Sequence, residues 1–514
     1  MSARRATSQA GHYDARQREG YRMHTDPTFL TLAEASRLIA TKALSPVELT
    51  EACLARADDV DGALHSLITP TPERARIEAR LAEAQIMRDG PRSALHGIPY
   101  TLKDVYETAG VRTTGQSRLL ADNVPAHDCH AQAALAGAGG VFLGKTTTWE
   151  FAHGGPSWDV VAPPAHNPWN TTRHPAGSSS GSGAAIAAGL CLATMGTDTG
   201  GSIRMPAAAC GIAGIKPTYG RVSRVGVLPN SFSHDHAGPM AWTSEDLAIL
   251  LNLTAGHDPR DPASVDLPVP DYRAALNGDA RGLVIGVPWH WMDEEVPLSP
   301  GNRRAFEASL EVLRGLGATL RPVTLPSLLE YNDCKRVIAM GELYAIHETD
   351  LRTRPELFGA SLRYRIICGA VLRAEDYIQA MRMRTRLAAA MQAVYRTVDL
   401  LAVPCTEPAG KLEPTSPHWM FAAPNYTTPF NSAGNPALSI CNGYDDDGMP
   451  YSLQLAGRLF DEATVLRVGD AYEKATPWRQ RRPDIASLSA QSAANKTNAR
   501  AAQATASSDA AALA

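Results

Sequence analysis

Ser202 stands directly after two glycines in the stretch Gly196-Thr-Asp-Thr-Gly-Gly-Ser-Ile-Arg204. Glycine lacks a Cβ, so backbone N–H groups in such a stretch can turn toward a bound atom. A hydroxyl flanked by free N–H donors supplies two parts of an acyl-transfer site, a nucleophile and an oxyanion hole. The same letters also fit a Gly-rich turn in which Asp198 bonds its own backbone. A serine nucleophile needs a base. Lys103 closes the apolar run His96-Gly-Ile-Pro-Tyr-Thr-Leu-Lys-Asp104, where a lysine either snorkels to solvent or is buried. Burial disfavours the ammonium, lowers its pKa and lets the neutral amine act as a base. Among the fifteen histidines, only His234 and His236, in a loop downstream of the Gly-rich turn, stand as rival partners.

Two other patterns imitate chemistry. Gly139-Gly-Val-Phe-Leu-Gly144-Lys145-Thr146 matches the phosphate-loop pattern letter for letter. That loop must follow a strand and open a helix, whereas here an Ala/Gly-rich helix precedes it and Val141 to Leu143 reads as the strand itself. Lys145 is therefore expected to be a structural or surface lysine. Gly177-Ser-Ser-Ser-Gly181 fits the nucleophile elbow, with Ser179 at its centre. An elbow needs a strand just upstream, and Asn167-Pro-Trp-Asn-Thr-Thr-Arg-His-Pro175 reads as a loop. Serines before an Ala-rich helix also suit helix capping.

The elements that must position these residues follow from periodicity. Leu32, Ala35, Leu38 and Ile39 recur at helical spacing, Pro46 suits the first turn of a second helix, and Arg74 to Arg88 reads as a third. Short β-type runs, Ile98 to Lys103 and Val141 to Lys145, then alternate with helical runs, Ala131 to Ala138 and Ser182 to Leu190. Such alternation predicts an α/β sheet with covering helices. Leu283 to Val287 and Asp399 to Val403 read as further strands, and Asn302 to Leu316 and Ala374 to Val394 as helices of an inserted layer. Residues 1–28 are expected to be a loose arm. Residues 485–514, rich in Ala, Ser, Gln and Asn, are expected to be a disordered tail.

The 514 residues suffice for a large core, and the formal net charge of −4 with no basic stripe argues against a nucleic-acid partner. The eight cysteines contain no C-x-x-C pair, so no zinc site or redox motif is expected, and scattered thiols fit a reducing compartment. The most apolar stretch, Ala184 to Met195, is too short to span a bilayer. A soluble, cytoplasmic protein is expected, without a membrane partner.

At larger scale the sequence resembles the amidase signature family. Gly177-Ser-Ser-Ser-Gly-Ser-Gly-Ala-Ala-Ile-Ala-Ala-Gly189 through Gly196-Thr-Asp-Thr-Gly-Gly-Ser-Ile-Arg-Met-Pro-Ala207 looks like its signature. Gly214-Ile-Lys-Pro-Thr-Tyr-Gly-Arg-Val-Ser223 and Pro429-Phe-Asn-Ser-Ala-Gly-Asn-Pro-Ala-Leu-Ser439 continue the match. The resemblance runs from about Leu30 to Trp478 and is weakest between roughly 285 and 400. It implies one amidase domain over 29–484, with a variable, partly helical section at 285–400. The implied fold is α/β, a central mixed twisted β-sheet covered by helices on both sides.

The resemblance also implies a Ser–cis-Ser–Lys triad. By position, Ser202 is the nucleophile, Ser178 the bridging serine after a cis peptide bond, and Lys103 the base. Ser178 lies 75 positions after Lys103 and 24 before Ser202, spacings similar to the family's own. Backbone N–H groups of Thr199, Gly200, Gly201 and Ser202 form the implied oxyanion hole, supported by Asp198, Arg204 and Ser179. Family members usually begin the serine block Gly-Gly-Ser-Ser-Gly-Gly-Ser; here Ala176 and Ser180 replace glycines, and both are small enough for the loop to survive. Neither a metal nor an organic cofactor is implied.

The implied activity is hydrolysis of the C–N bond of a small, non-peptide amide, a carboxamide or anilide. A carbamate or ester hydrolase of the same mechanism, the glutaminase subunit of a tRNA-dependent amidotransferase, and a catalytically inactive binding protein stay open as alternatives. A stand-alone hydrolase is favoured because the glutaminase's tyrosine-rich helical stretch is not evident between Asn332 and Leu372. A homodimer is allowed. Acyl specificity is expected from the divergent section and from loops bearing Trp149, Phe151, His153 and Trp158, and from Tyr426, Thr427 and Asn431. For the aromatic residues, ordinary core packing is the competing reading.

Overall fold

The computed structural model describes residues 26–414 and 423–512, with side chains through residue 499. Most of the expected arm, residues 1–25, lies outside the described residues. Thr31 and Ser45 open α1 (Leu32–Ala40) and α2 (Pro46–Leu64) with capping boxes. Each hydroxyl accepts the N–H of Glu34 or Glu48, whose carboxylate reaches back to the cap N–H. After β1 (Leu67–Pro70), α3 (Pro72–Asp89) buries Ala75, Ala79, Ala82 and Ile86 along one face.

The middle of the chain alternates as its periodicity predicts. The order is β2 (Pro99–Lys103), α4 (His130–Gly137), β3 (Val141–Thr146), α5 (Ser180–Ala187), β4 (Ala193–Asp198) and α6 (Arg204–Cys210). Next come β5 (Ala213–Lys216), β6 (His236–Ala241), α7 (Ser244–Thr254) and β7 (Val284–Val287). The divergent section holds α8 (Pro300–Gly315), β8 (Thr319–Pro322), α9 (Leu328–Thr353), α10 (Ala360–Ile366) and α11 (Ala374–Val394). The chain then runs through β9 (Leu400–Pro404), α12 (Thr428–Ser432), β10 (Ala437–Tyr444), β11 (Pro450–Gly457), α13 (Glu462–Ala475) and α14 (Ile485–Ala512).

Among the described residues the strands form one mixed sheet of eleven, ordered β1-β3-β2-β4-β6-β5-β10-β11-β9-β7-β8. β2 lies parallel to both β3 and β4, with Leu102 opposite Lys145 on one side and Met195 on the other. Every residue of β2, β3 and β4 is buried, which requires cover on both faces of the sheet. α5 and α6 pack on each other and against the sheet, and α7 and α13 pair against β5, β6, β10 and β11. Burying a side chain such as Leu102 contributes about 1.5–3 kcal/mol; β2 is therefore a stiff platform for the lysine at its end.

The phosphate-loop match is strand β3 itself. Lys145 is fully buried and donates to the Tyr106 carbonyl and to Thr113 Oγ1 at 2.9 Å. The disordered tail is corrected, because residues 485–512 form α14, which packs along α2. Leu488 is buried there, and Asn495 donates to the Gly62 carbonyl at 3.0 Å. An Ala-rich polar stretch lacks the apolar content to fold alone, but α2 offers it a surface. No helix among the described residues is long and apolar enough to cross a membrane.

Candidate active site

The carboxyl ends of β2 and β4 lie side by side, the place where parallel α/β sheets bind ligands. β2 ends in Lys103. β4 ends in Asp198 and runs into Thr199-Gly-Gly-Ser202 before α6 begins at Arg204. The loop entering α5 brings the third segment, Gly177-Ser178-Ser179, and the Gly177–Ser178 peptide is cis. A Cβ on Gly177 would lie 2.1 Å from the Trp149 indole, so only glycine fits there. Ser179 N–H donates to the Ser202 carbonyl at 3.2 Å and joins the two serine loops.

Lys103 Nζ is 2.7 Å from Ser178 Oγ and 2.6 Å from Thr197 Oγ1, and none of its surface reaches solvent. Burial pulls its pKa from 10.5 down to about 7, against the opposing pull of Asp198 and Asp235. A lysine so poised is substantially neutral at neutral pH and can take a proton along its line to Ser178. Ser202 faces the cavity, and its hydroxyl has no hydrogen bond to any described residue. His236 turns its Nδ1 to the His234 carbonyl, 2.6 Å away. Burial, with Lys216 adding to it, holds His236 well below the usual histidine range.

Asp198 organises the loop that carries Ser202. Its carboxylate accepts the N–H of Gly201 at 2.7 Å and of Ile203 at 3.1 Å, donors that a helix start otherwise leaves unpaired. Arg204 grips the same carboxylate with Nε at 3.0 Å and Nη2 at 2.9 Å, both residues fully buried. Burial alone would raise the Asp198 carboxyl, but the Arg204 charge and hydrogen bonds overcome this and hold it well below the usual carboxylate range. One expected oxyanion donor is thereby corrected: the Gly201 N–H points at Asp198, which leaves Thr199, Gly200 and Ser202. Thr199 Oγ1 donates to Asp235 at 2.6 Å, and Thr427 Oγ1 to the Gly200 carbonyl at 2.7 Å. Ser179, expected to support the site, makes no side-chain cap on α5; its Oγ turns to β4 and donates to the Thr197 carbonyl at 3.3 Å.

The cavity above Ser202 measures about 510 Å³, a small-molecule size. Trp149 and His153 line it. Three other expected pocket residues do not, and are corrected. Phe151 is buried in a separate cluster with Leu343, Phe358, Leu362 and Ile366. Tyr426 donates its hydroxyl to the Val296 carbonyl. Asn431 sits behind the loop, its amide donating to Asp198 Oδ1 at 2.8 Å. Trp158, half exposed, and Thr427, whose hydroxyl is turned to the Gly200 carbonyl, also lie off the wall. The wall includes residues that no sequence motif marked: Asn230, Lys335 on α9, Arg365 on α10, and Asn425. Thr197, the second partner of Lys103, also escaped notice, because it is an ordinary residue of a buried strand.

A model of the Amidase family matches residues 48–466. The chain is 43% identical over 489 residues to a Chloroflexus aggregans protein named as a glutamyl-tRNA(Gln) amidotransferase subunit, covering 90% of this chain and 99% of that one. Among solved structures it resembles the native peptide amidase from Stenotrophomonas maltophilia (30% identity, TM-score 0.77, 88% and 98% of the two chains). It also resembles a chain of a vestigial protein complex described as revealing the origins of an s-triazine catabolic enzyme (31% identity, TM-score 0.82, 88% and 100%).

Proposed function

This chain belongs to the amidase family, and from that premise we propose that it cleaves the C–N bond of a small linear carboxamide through an acyl-enzyme on Ser202. The observation that carries this reading is the 2.7 Å contact of a fully buried Lys103 with Ser178, beneath a cavity that exposes Ser202. Neutral Lys103 takes the Ser178 proton while Ser178 takes that of Ser202. Ser202 Oγ attacks the carbonyl, and the oxyanion rests on the N–H groups of Thr199, Gly200 and Ser202. The proton returns through Ser178 to the leaving amine, and water releases the acyl group by the reverse relay. Carbamates and esters can enter the same route, since the attack does not depend on the leaving group being an amine.

A second reading is that the amide is glutamine and that this protein works as one component of an amidotransferase. Relatives bearing that enzyme's name match it at up to 43% identity over nearly their whole length, and among the comparisons this is the strongest support for any one substrate. The general hydrolase reading draws on structural neighbours that include peptide amidases. The purified chain, assayed alone for ammonia or amine release from glutamine, aliphatic amides, acetanilides and carbamates, separates the two. Turnover of amides other than glutamine supports the first reading. Release from glutamine alone supports the second, and no release from any of them by protein with an unreactive Ser202 contradicts both.

A further inference from the structure

The cavity wall carries a cation that the acyl-transfer machinery does not use. Lys335, on α9, is half-buried, and its Nζ reaches the nucleophile loop: a Cβ on Gly200 would lie 3.0 Å from it. No carboxylate among the described residues pairs with it. The two acids that face it, Asp198 and Asp235, are both committed elsewhere. Asp198 is held by Arg204, and Asp235 accepts Thr199 Oγ1 and the N–H groups of Asn230 and Ser231. Of the other ionic groups on the wall, Arg365 is buried, Arg336 pairs with Asp333, and the acid, Glu413, is exposed. The charges of Asp198 and Asp235 favour the ammonium from a distance, but with no carboxylate in contact a partly buried ammonium gains further from a ligand that supplies one.

We propose that Lys335 is an acyl-specificity residue that binds a carboxylate of the substrate, so that this site takes short amides whose acyl chain ends in a negative charge. The inference rests on the acyl-enzyme reading above. Gly200 lies two residues before Ser202, so a carboxylate on Lys335 sits a few bonds from the scissile carbonyl, the reach of a half-amide of a short dicarboxylic acid. Burial, with Arg336 and Arg365 adding to it, lowers the Lys335 pKa to about 8, which still leaves it mostly charged at neutral pH. Glutamine, with its own carboxylate, falls within this class.

Two measurements on the full chain test it. The first is calorimetric binding of the dicarboxylates malonate through adipate, which needs no turnover, in the wild type and in Lys335→Met and Lys335→Gln. At least one dicarboxylate binds the wild type, and its affinity falls at least about tenfold in the folded variants, the scale of a lost charge-assisted contact. The second is kcat/KM for succinamate against its uncharged isostere succinamide. The ratio falls about tenfold or more in the same variants because only the charged substrate loses a contact. If no dicarboxylate binds, or if both substrates slow equally, the proposal is overturned; equal slowing would mark Lys335 as part of the oxyanion environment. Lys335-dependent binding of a dicarboxylate to a chain that cleaves nothing and whose Ser202 is unreactive would uphold the anion site and contradict the hydrolase reading instead.

Discussion

Replacing Lys103 by Met removes the titrating group while nearly keeping its length, and stability measured against pH then isolates what burial does to the lysine. In the folded protein burial takes Lys103 from 10.5 to about 7. At ~1.36 kcal/mol per pH unit, this is a penalty of about 5 kcal/mol on the charged form. The penalty is fully present below pH 7, where the amine is protonated in both folded and unfolded chains. It is relieved as pH rises from about 7 toward 10.5, where the unfolded chain holds a proton that the folded one has lost. About 3 kcal/mol of it is relieved between pH 6 and pH 9. The variant leaves Ser178 Oγ and Thr197 Oγ1 short of a partner, a cost of about 1–3 kcal/mol each that does not change with pH. Urea denaturation of the wild type and Lys103→Met at pH 6, 7.5 and 9 cancels every other titrating group. The wild type gains about 3 kcal/mol relative to the variant across that range. A difference that stays flat, or that moves toward the variant, would refute a Lys103 held near neutrality.

Three further outcomes follow from the same geometry. The rate constant kcat/KM rises tenfold per pH unit below about pH 7 and levels above it, as Lys103 loses its proton; a profile that falls over that range contradicts the lysine base. Asp198→Asn leaves the buried Arg204 without its counter-charge, and its stability in urea drops by about 3–5 kcal/mol. Tyr426→Phe loses one hydrogen bond to the Val296 carbonyl and about 1 kcal/mol of stability; its preference among acyl chains is unchanged, because the side chain faces away from the cavity.

The parts of the site legible in the sequence were those where backbone needs restrict residue type. Glycines at 177, 200 and 201 sit where chains approach closely, as the Trp149 indole against Gly177 shows, so small residues flag the loops. Lys103 was visible because a lysine ending an apolar run is an anomaly. Specificity residues carry no such mark. Tyr426 and Asn431 are close in sequence to matching segments, yet sequence neighbours on a loop and a short helix point in different directions, and both turn into the core behind the site. Lys335 and Arg365 come from two helices of the divergent section and meet the cavity only through tertiary packing. In the fold, the most apolar strands and the helices α1 to α5, α8 and α11 were readable, whereas α9 was not, although a capping box opens it. β4, β5, β10 and β11 were not, because their Ala, Gly and Ser content hides the β pattern that sheet pairing stabilises.

The central claim is that Ser202, activated through Ser178 by Lys103, forms the acyl-enzyme. Labelling of the folded protein with a fluorophosphonate, followed by peptide mass mapping, tests it most directly. The adduct is expected on Ser202, absent from Ser202→Ala and far slower to form in Lys103→Ala. A folded wild type that stays unlabelled, or that carries the adduct on another residue, would contradict the account.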